Sequence, residues 1–498
     1  MQLHDVLIDA RRDTPDQVAL VTDAGVSTFA ELDDRVRAVA SGLAGITDRG
    51  DRVAILSENR AEFVECYYAA PRAGCILVPL NHRLHRDEWL RALARSGARV
   101  LIAESDLVAR LDRADARAAG VEVFVALDAS EVDLEYDAFG KGALADDDVP
   151  TSSDGTDVVW LVGTSGTTGS PKLAMLTAAS ILAAVDSTLA ARPVGDDDSL
   201  LTPFPLCHVA GYNVLVFHRR ARPVVLMRRF DPGRLAALVH EHRVTMLSLA
   251  PTMIAMLLEA SDVHDRELTT IRALGYGASP IPAPVLRAAV ARWDWDLSQG
   301  YGMTELSGNA VFLGPDEHRR AAAGDESMLR AAGRAAPGVE IRLAPGDDEI
   351  LVRATQVFAG YWDDPTASAA TVVDGWLHTG DVGRIDEGLL SVVDRVKDII
   401  VSGGENVASH EVEDVLHTHP AVGDVAVIGL PDTRWGERVC AVVVTRPDTS
   451  VDGDELIALC RSHLAGFKTP RVVHFVETLP RNAAGKVLKQ QLRAELRL

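Results

Sequence analysis

The chain carries 498 residues, 47% hydrophobic and 24% charged, with a formal charge of −22. That length exceeds one ordinary domain, and the composition is that of a globular protein with a large core. The acidic balance argues against a nucleic-acid partner and an anionic membrane surface, while leaving room for local basic sites.

The first residues, Met1-Gln-Leu-His-Asp-Val-Leu-Ile, form no signal-peptide core, and no apolar run is long enough for stable membrane insertion. Helical spacing is expected over Phe29–Leu43 and Ala61–Ala73. Short apolar strands are expected at Arg52–Leu56, Ile76–Leu80 and Arg99–Ala103. Such alternation predicts a mostly parallel sheet covered on both faces. The acidic stretch Gly142–Asp157 reads as a loop. Val158–Val162 is a buried strand by its apolar, β-branched run. A helix over Ala178–Ala191 and strands around Val224–Met227 and Thr245–Leu249 continue the α/β style. From Val339 onward short strands predict a β-rich subdomain. The last hundred residues have a small α/β rhythm of their own, so domains are expected at 1–396 and 397–498. Five scattered cysteines, Cys66, Cys75, Cys207, Cys440 and Cys460, lack metal-site spacing and read as reduced thiols of a cytoplasmic protein.

Chemistry concentrates after the strand at Val158. There Thr164, Ser165, Gly166, Thr167, Thr168 and Gly169 precede Pro171 and Lys172. Glycines admit close backbone approach, while N–H groups, hydroxyls and the lysine donate to an anion. The reading is a polyphosphate cradle; an ordinary surface turn is the bland alternative. A Walker A loop is excluded, because Ser170 and Pro171 separate Gly169 from Lys172.

A second motif is Ser298-Gln299-Gly300-Tyr301-Gly302-Met303-Thr304-Glu305. Tyr301 offers a ring to a planar base, Thr304 a hydroxyl to phosphate, and Glu305 a hard oxygen to Mg²⁺. Further candidates are Gly277-Ala278-Ser279, the run Cys207-His208-Val-Ala-Gly211-Tyr212-Asn213, and Gly308. Beyond them stand Asp381 after a Gly turn, Asp394-Arg395-Val-Lys397, Gly403-Gly404-Glu405 and Gly485-Lys486. A nucleophilic Cys207–His208 pair is disfavoured, because adjacent side chains seldom face each other.

Together, T-S-G-T-T-G-x-P-K, P-x-x-H-x-x-G, G-A-S-P, Q-G-Y-G-M-T-E, G-W-x-x-T-G-D and P-R-N-x-x-G-K resemble, in order, the motifs of the adenylate-forming superfamily. The match is closest to its acyl-CoA synthetases of the bacterial fatty-acid type. The resemblance implies a large N-terminal domain of parallel α/β sheets with a β-rich subdomain, and a small mobile α+β C-terminal domain. It implies ATP, Mg²⁺ and CoA, a carboxylic-acid substrate, and a monomer or homodimer. It assigns nucleotide binding to residues 164–169, 277–279 and 299–304, and ribose contacts to Asp381 and Arg395. His208, Gly211, Tyr212, Asn213 and Gly308 would border the acyl pocket, and Lys397 would be the hinge. Gly403, Gly404 and Glu405 would meet CoA. Catalysis would fall to Lys486, Thr304, Glu305, Lys172 and His208, with Glu305 as metal ligand.

Departures stand at Leu173 and Asp348, where the family usually has glycine, and at Ala408-Ser409, where Tyr-Pro is usual. Leu173 and Ala408-Ser409 leave open another acceptor, a carrier-protein thiol or an amine, and another acid such as nitrite.

Overall fold

The computed structural model describes residues 1–128, 133–138, 155–164, 172–277, 279, 281–329, 331–395, 398–402, 405–432, 434–482 and 485–496. The chain forms two compact units, one of Met1–Glu340 with Arg353–Leu377 and one of Ile341–Val352 with His378–Leu498. The boundary expected at 396/397 lies outside the described residues.

In the first unit, strand–helix alternation builds a seven-stranded sheet. Its order is Leu134–Glu135, Val123–Ala126, Ala98–Ala103, Arg52–Leu56, Ile76–Leu80, Val158–Gly163 and Leu173–Thr177. All neighbours run parallel except the last pair. All five residues of Ile76–Leu80 are buried, as a strand covered on both faces requires. The strand Leu173–Thr177, for which the sequence pattern gives no expectation, lies between the loop and the helix expected at Ala178–Ala191. The helix Ala178–Ala191 begins only after it, capped by Thr177, whose hydroxyl accepts from Ser180 N at 3.0 Å.

A second sheet of this unit runs Ala331–Ala335, Gly308–Leu313, Asp296–Met303, Ala273–Gly277, Met246–Leu249, Leu200–Thr202, Val224–Leu226, Val18–Thr22 and Gly25–Thr28. From Asp296–Met303 to Val18–Thr22 every neighbouring pair is parallel. Ligands of such sheets bind beyond the carboxyl ends of the strands. Those ends are where Gly277 and Met303-Thr304 lie. The stretch Ser298–Glu305 is therefore mostly strand, closing in the 3₁₀ turn Thr304–Leu306.

The second unit holds the β-rich stretch and an α/β layer. Trp376–Asp386 pairs antiparallel with Leu389–Arg395, Asp381 facing Arg395 across the ladder. Glu405–Val407, Ile400–Ser402, Gly436–Thr445 and Val422–Asp432 form a sheet, with Val472–Phe475 alongside Gly436–Thr445. Val412, Leu416, Val427, Val443, Leu456 and Cys460 share its core.

One departure acquires a structural reason. Asp348 has φ of 54°, the left-handed region that glycine enters freely and that aspartate tolerates better than most residues. Asp348→Val should destabilise the fold by roughly 1–2 kcal/mol, and Asp348→Gly should not. Paired denaturant melts would check this.

Candidate functional site

The loop motif is carried by a hairpin. Gly163 pairs with Leu173, and Thr164 N donates to the Lys172 carbonyl at 2.8 Å, so the two ends of the segment 165–171 are held together. Ser165, Gly166, Thr167, Thr168 and Gly169 themselves lie outside the described residues. Lys172 leaves the hairpin with its ammonium 4.7 Å from the centroid of the Tyr361 ring. Tyr361 in turn donates its hydroxyl to Glu305 Oε1 at 2.7 Å.

The backbone explains why these three meet. Met175 N donates to Gly360 O, Ala359 N to Met175 O and Trp362 N to Leu173 O, each at 2.8–2.9 Å. Phe358 N donates to Glu305 O at 2.9 Å. The segment 358–362 thereby straps the hairpin to the turn Thr304–Leu306. Burial, then the Glu305 carboxylate, raises the Tyr361 phenol well above its ordinary pKa, so it remains a donor. Sequence reasoning missed Tyr361, which stands 56 positions from Glu305.

Close approach accounts for the glycines of the strand Asp296–Met303. A Cβ at Gly300 would lie 2.4 Å from Asn309 Nδ2, and one at Gly302 2.0 Å from Gly308 O. A Cβ at Gly277 would lie 2.7 Å from Gly300 O. Tyr301, Met303 and Thr304 are half-buried at the strand end, and Glu305 follows in the turn. Gln299 instead accepts from the Tyr276 hydroxyl at 3.1 Å. That hydroxyl also shares a 2.8 Å hydrogen bond with His318. Ser279 is exposed, and Ala278 lies outside the described residues.

Tyr212 and Gly308 are in contact: a Cβ at Gly308 would sit 3.0 Å from the Tyr212 ring. The Tyr212 hydroxyl bonds Thr188 Oγ1 at 2.9 Å. Asn213 accepts from Arg192 Nη2 at 3.2 Å. Gly211 leaves room for the Tyr67 hydroxyl, and His208 Nε2 lies 3.5 Å from Asn81 Nδ2. Cys207 is buried, its thiol pushed up to about 12 by that burial. A thiol so raised is no nucleophile near neutrality, as the adjacency argument implied.

In the second unit, Asp381 is 4% exposed and its Oδ1 lies 2.6 Å from Arg395 Nε. Glu349 orders the approach to it, accepting from Gly380 N at 2.8 Å and facing His378 Nδ1 at 2.7 Å. Beyond Arg395, Lys397, Gly403 and Gly404 lie outside the described residues, while Glu405 is exposed. Ser409 donates both its N–H and its hydroxyl to Asp394 Oδ2, each at 2.6 Å. Proline at 409 would supply neither donor. Lys486 is exposed on a tight loop: Lys486 N donates to Asn482 Oδ1 at 2.9 Å and Arg481 Nη1 to Gly485 O at 2.7 Å.

The first unit thus offers one oriented carboxylate, Glu305, coupled through Tyr361 to the lysine at the foot of the hairpin. Among the described residues no group of three His, Cys, Asp or Glu could hold a metal ion. The single carboxylate of Glu305 still suits Mg²⁺, which takes its other ligands from phosphate and water. Among the described residues, no helix is long and apolar enough to cross a membrane.

Residues 8–362 match the AMP-binding enzyme family, and residues 411–486 match the AMP-binding enzyme C-terminal domain. The chain is 37% identical over 491 residues to a feruloyl-CoA synthase of Amycolatopsis sp, covering 97% of this chain and 96% of that one. It is similar in structure to an amide bond synthetase from Marinactinospora thermotolerans, with a TM-score of 0.88, 31% identity and 100% of both chains covered. An o-succinylbenzoate coenzyme A synthetase from Bacillus subtilis, in complex with ATP and magnesium ion, matches with a TM-score of 0.86, 31% identity and 98% of each chain covered.

Proposed function

The chain belongs to the adenylate-forming superfamily of AMP-binding enzymes, as a ligase of the acyl-CoA synthetase type, and from that premise we propose that it activates a small-molecule carboxylic acid with ATP and passes the acyl group to CoA. In the first step a carboxylate oxygen attacks the α-phosphorus, forming the acyl-adenylate and releasing pyrophosphate. In the second the CoA thiol, losing its proton, attacks the acyl carbonyl, and AMP leaves. The observation that supports this reading most is the joined set Lys172, Tyr361 and Glu305 at the foot of the hairpin.

Phosphoryl transfer of this kind needs positioning and charge neutralisation more than covalent help. Lys172, the hairpin N–H groups and Thr304 receive the triphosphate. Mg²⁺, held at Glu305, would neutralise charge on the phosphate oxygens. Asp381, oriented by Arg395, accepts the ribose hydroxyls. Lys486 contributes its ammonium to the α-phosphate during adenylation. A pivot at Lys397 then withdraws it and presents Gly403, Gly404 and Glu405 to CoA. All five cysteines are free and buried, which suits a cytoplasmic enzyme.

A second acceptor reading is supported by the likeness to the amide bond synthetase. In that reading an amine would take the place of the CoA thiol. Pyrophosphate release across a panel of aliphatic and aromatic acids, with AMP release measured with CoA or with an amine, tests both. CoA-dependent AMP release is the expected outcome. Amine-dependent release without CoA would replace the acceptor, and no pyrophosphate with any acid would overturn the ligase reading.

A further inference from the structure

Arg192 ends the helix Ala178–Ala191 and turns a partly buried guanidinium toward the sheet. Its Nη2 donates to Asn213 Oδ1 at 3.2 Å, while its Nε is shielded from solvent and has no partner. Among the described residues no carboxylate pairs with it. The cation occupies space that exists because residue 275 is glycine: a Cβ there would lie 1.6 Å from Arg192 Nη1. The parallel register sets Gly275 between Ser248 and Ser298, so all three share one sheet face. Gly277 and Gly300, paired two residues further on, continue that face. The floor beneath the guanidinium is thus built of nothing larger than serine.

A buried charge without a counter-ion is costly, and such a group is normally paired. Burial lowers the pKa of Arg192 and the charge of Arg272 lowers it further, while the Tyr212 hydroxyl acts in the opposite direction. No carboxylate stands among these groups. Tyr212 and Asn213, the neighbours of this cation, are the residues expected to border the acyl pocket.

We propose that Arg192, aided by Asn213, is the specificity-determining end of the acyl pocket, and that the acid activated here carries a second anionic oxygen, an ω-carboxylate or a phenolate, remote from the reacting carboxylate. The inference rests on the acid-activating reading above and narrows its substrate class. Arginine suits this task because its fork of donors is always charged and binds such oxygens in two places.

The test compares matched pairs of acids: α,ω-dicarboxylic acids against monocarboxylic acids of equal length, and 4-hydroxycinnamate against cinnamate. Pyrophosphate release gives kcat/KM for each, and thermal shift gives binding without turnover. The wild-type enzyme should favour the member with the distal oxygen by at least about tenfold, the worth of a charged hydrogen bond. In Arg192→Met that ratio should collapse toward unity. Asn213→Asp, which hands the guanidinium an internal carboxylate, should erase the ratio as well, and a thermal melt checks that the variant stays folded without the bond from Asn213 Nδ2 to Ala210 O. The ω-carboxylate and phenolate arms separate the two sources of the oxygen. A wild-type preference for the plain acids, or a ratio unmoved in both variants, overturns the proposal while leaving the ligase reading intact. Absent pyrophosphate with every acid instead overturns the ligase reading. The thermal shifts then decide the binding claim alone, and equal shifts for both members of each pair would refute it.

Discussion

Lys486→Ala should lower acyl-adenylate formation by about 10²–10³-fold or more, yet largely spare thioester formation from acyl-AMP supplied ready-made. The asymmetry follows from where charge develops. In the first half-reaction negative charge gathers on phosphoryl oxygens, and an ammonium at the α-phosphate stabilises it. In the second, the bond that breaks joins the acyl carbon to an AMP oxygen, and no phosphoryl group is transferred. The loop is held by Lys486 N on Asn482 Oδ1, by Arg481 on Gly485 O and by Gly485 N on Asn482 O, none of which uses the lysine side chain. Truncating that exposed side chain should change stability by no more than about 0.5 kcal/mol, the usual range of surface substitutions. Pyrophosphate release measures the first step, and AMP release from synthetic acyl-adenylate with CoA measures the second. Equal loss in both would refute the assigned role.

Local pattern makes much of this molecule legible in its sequence. The strand Ile76–Leu80 and the helix Ala178–Ala191 declare themselves because an apolar run or helical spacing is written into consecutive residues. The glycines at 300 and 302 were noticed as a motif, but the reason for them is the approach of Asn309 and Gly308 from the neighbouring strand. The strand Leu173–Thr177 was missed because Leu-Ala-Met-Leu suits a helix as well as a strand, and only pairing with Val158–Gly163 decides between them. Arg192 and Tyr361 were missed for a different reason. Each matters through partners far along the chain, Asn213 and Gly275 for one and Glu305 for the other, and no spacing rule reaches that distance.

Glu305 and Tyr361 allow that last point to be tested as chemistry. Glu305→Gln removes the charge proposed to hold Mg²⁺, so kcat/KM for ATP should fall by about 10²–10³-fold. Tyr361→Phe keeps the ring under the Lys172 ammonium and removes only the hydroxyl that orients the carboxylate. It should cost about tenfold, the scale of a hydrogen bond to a charged group, and should raise the Mg²⁺ concentration needed for half-maximal rate. Tyr361→Leu also removes the ring, adding roughly the 0.5–2 kcal/mol of a cation–π contact to the loss of ATP binding. If Tyr361 acts through Glu305, the double variant Glu305→Gln with Tyr361→Phe should be scarcely worse than Glu305→Gln alone, since residues in direct contact do not contribute additively. A shift in Mg²⁺ dependence is what separates positioning from mere support of the fold. Were Tyr361→Phe to lower the rate by one factor at every Mg²⁺ concentration, and to add fully to Glu305→Gln, the phenol would be a structural strut and the coupling between hairpin and carboxylate would have to be abandoned.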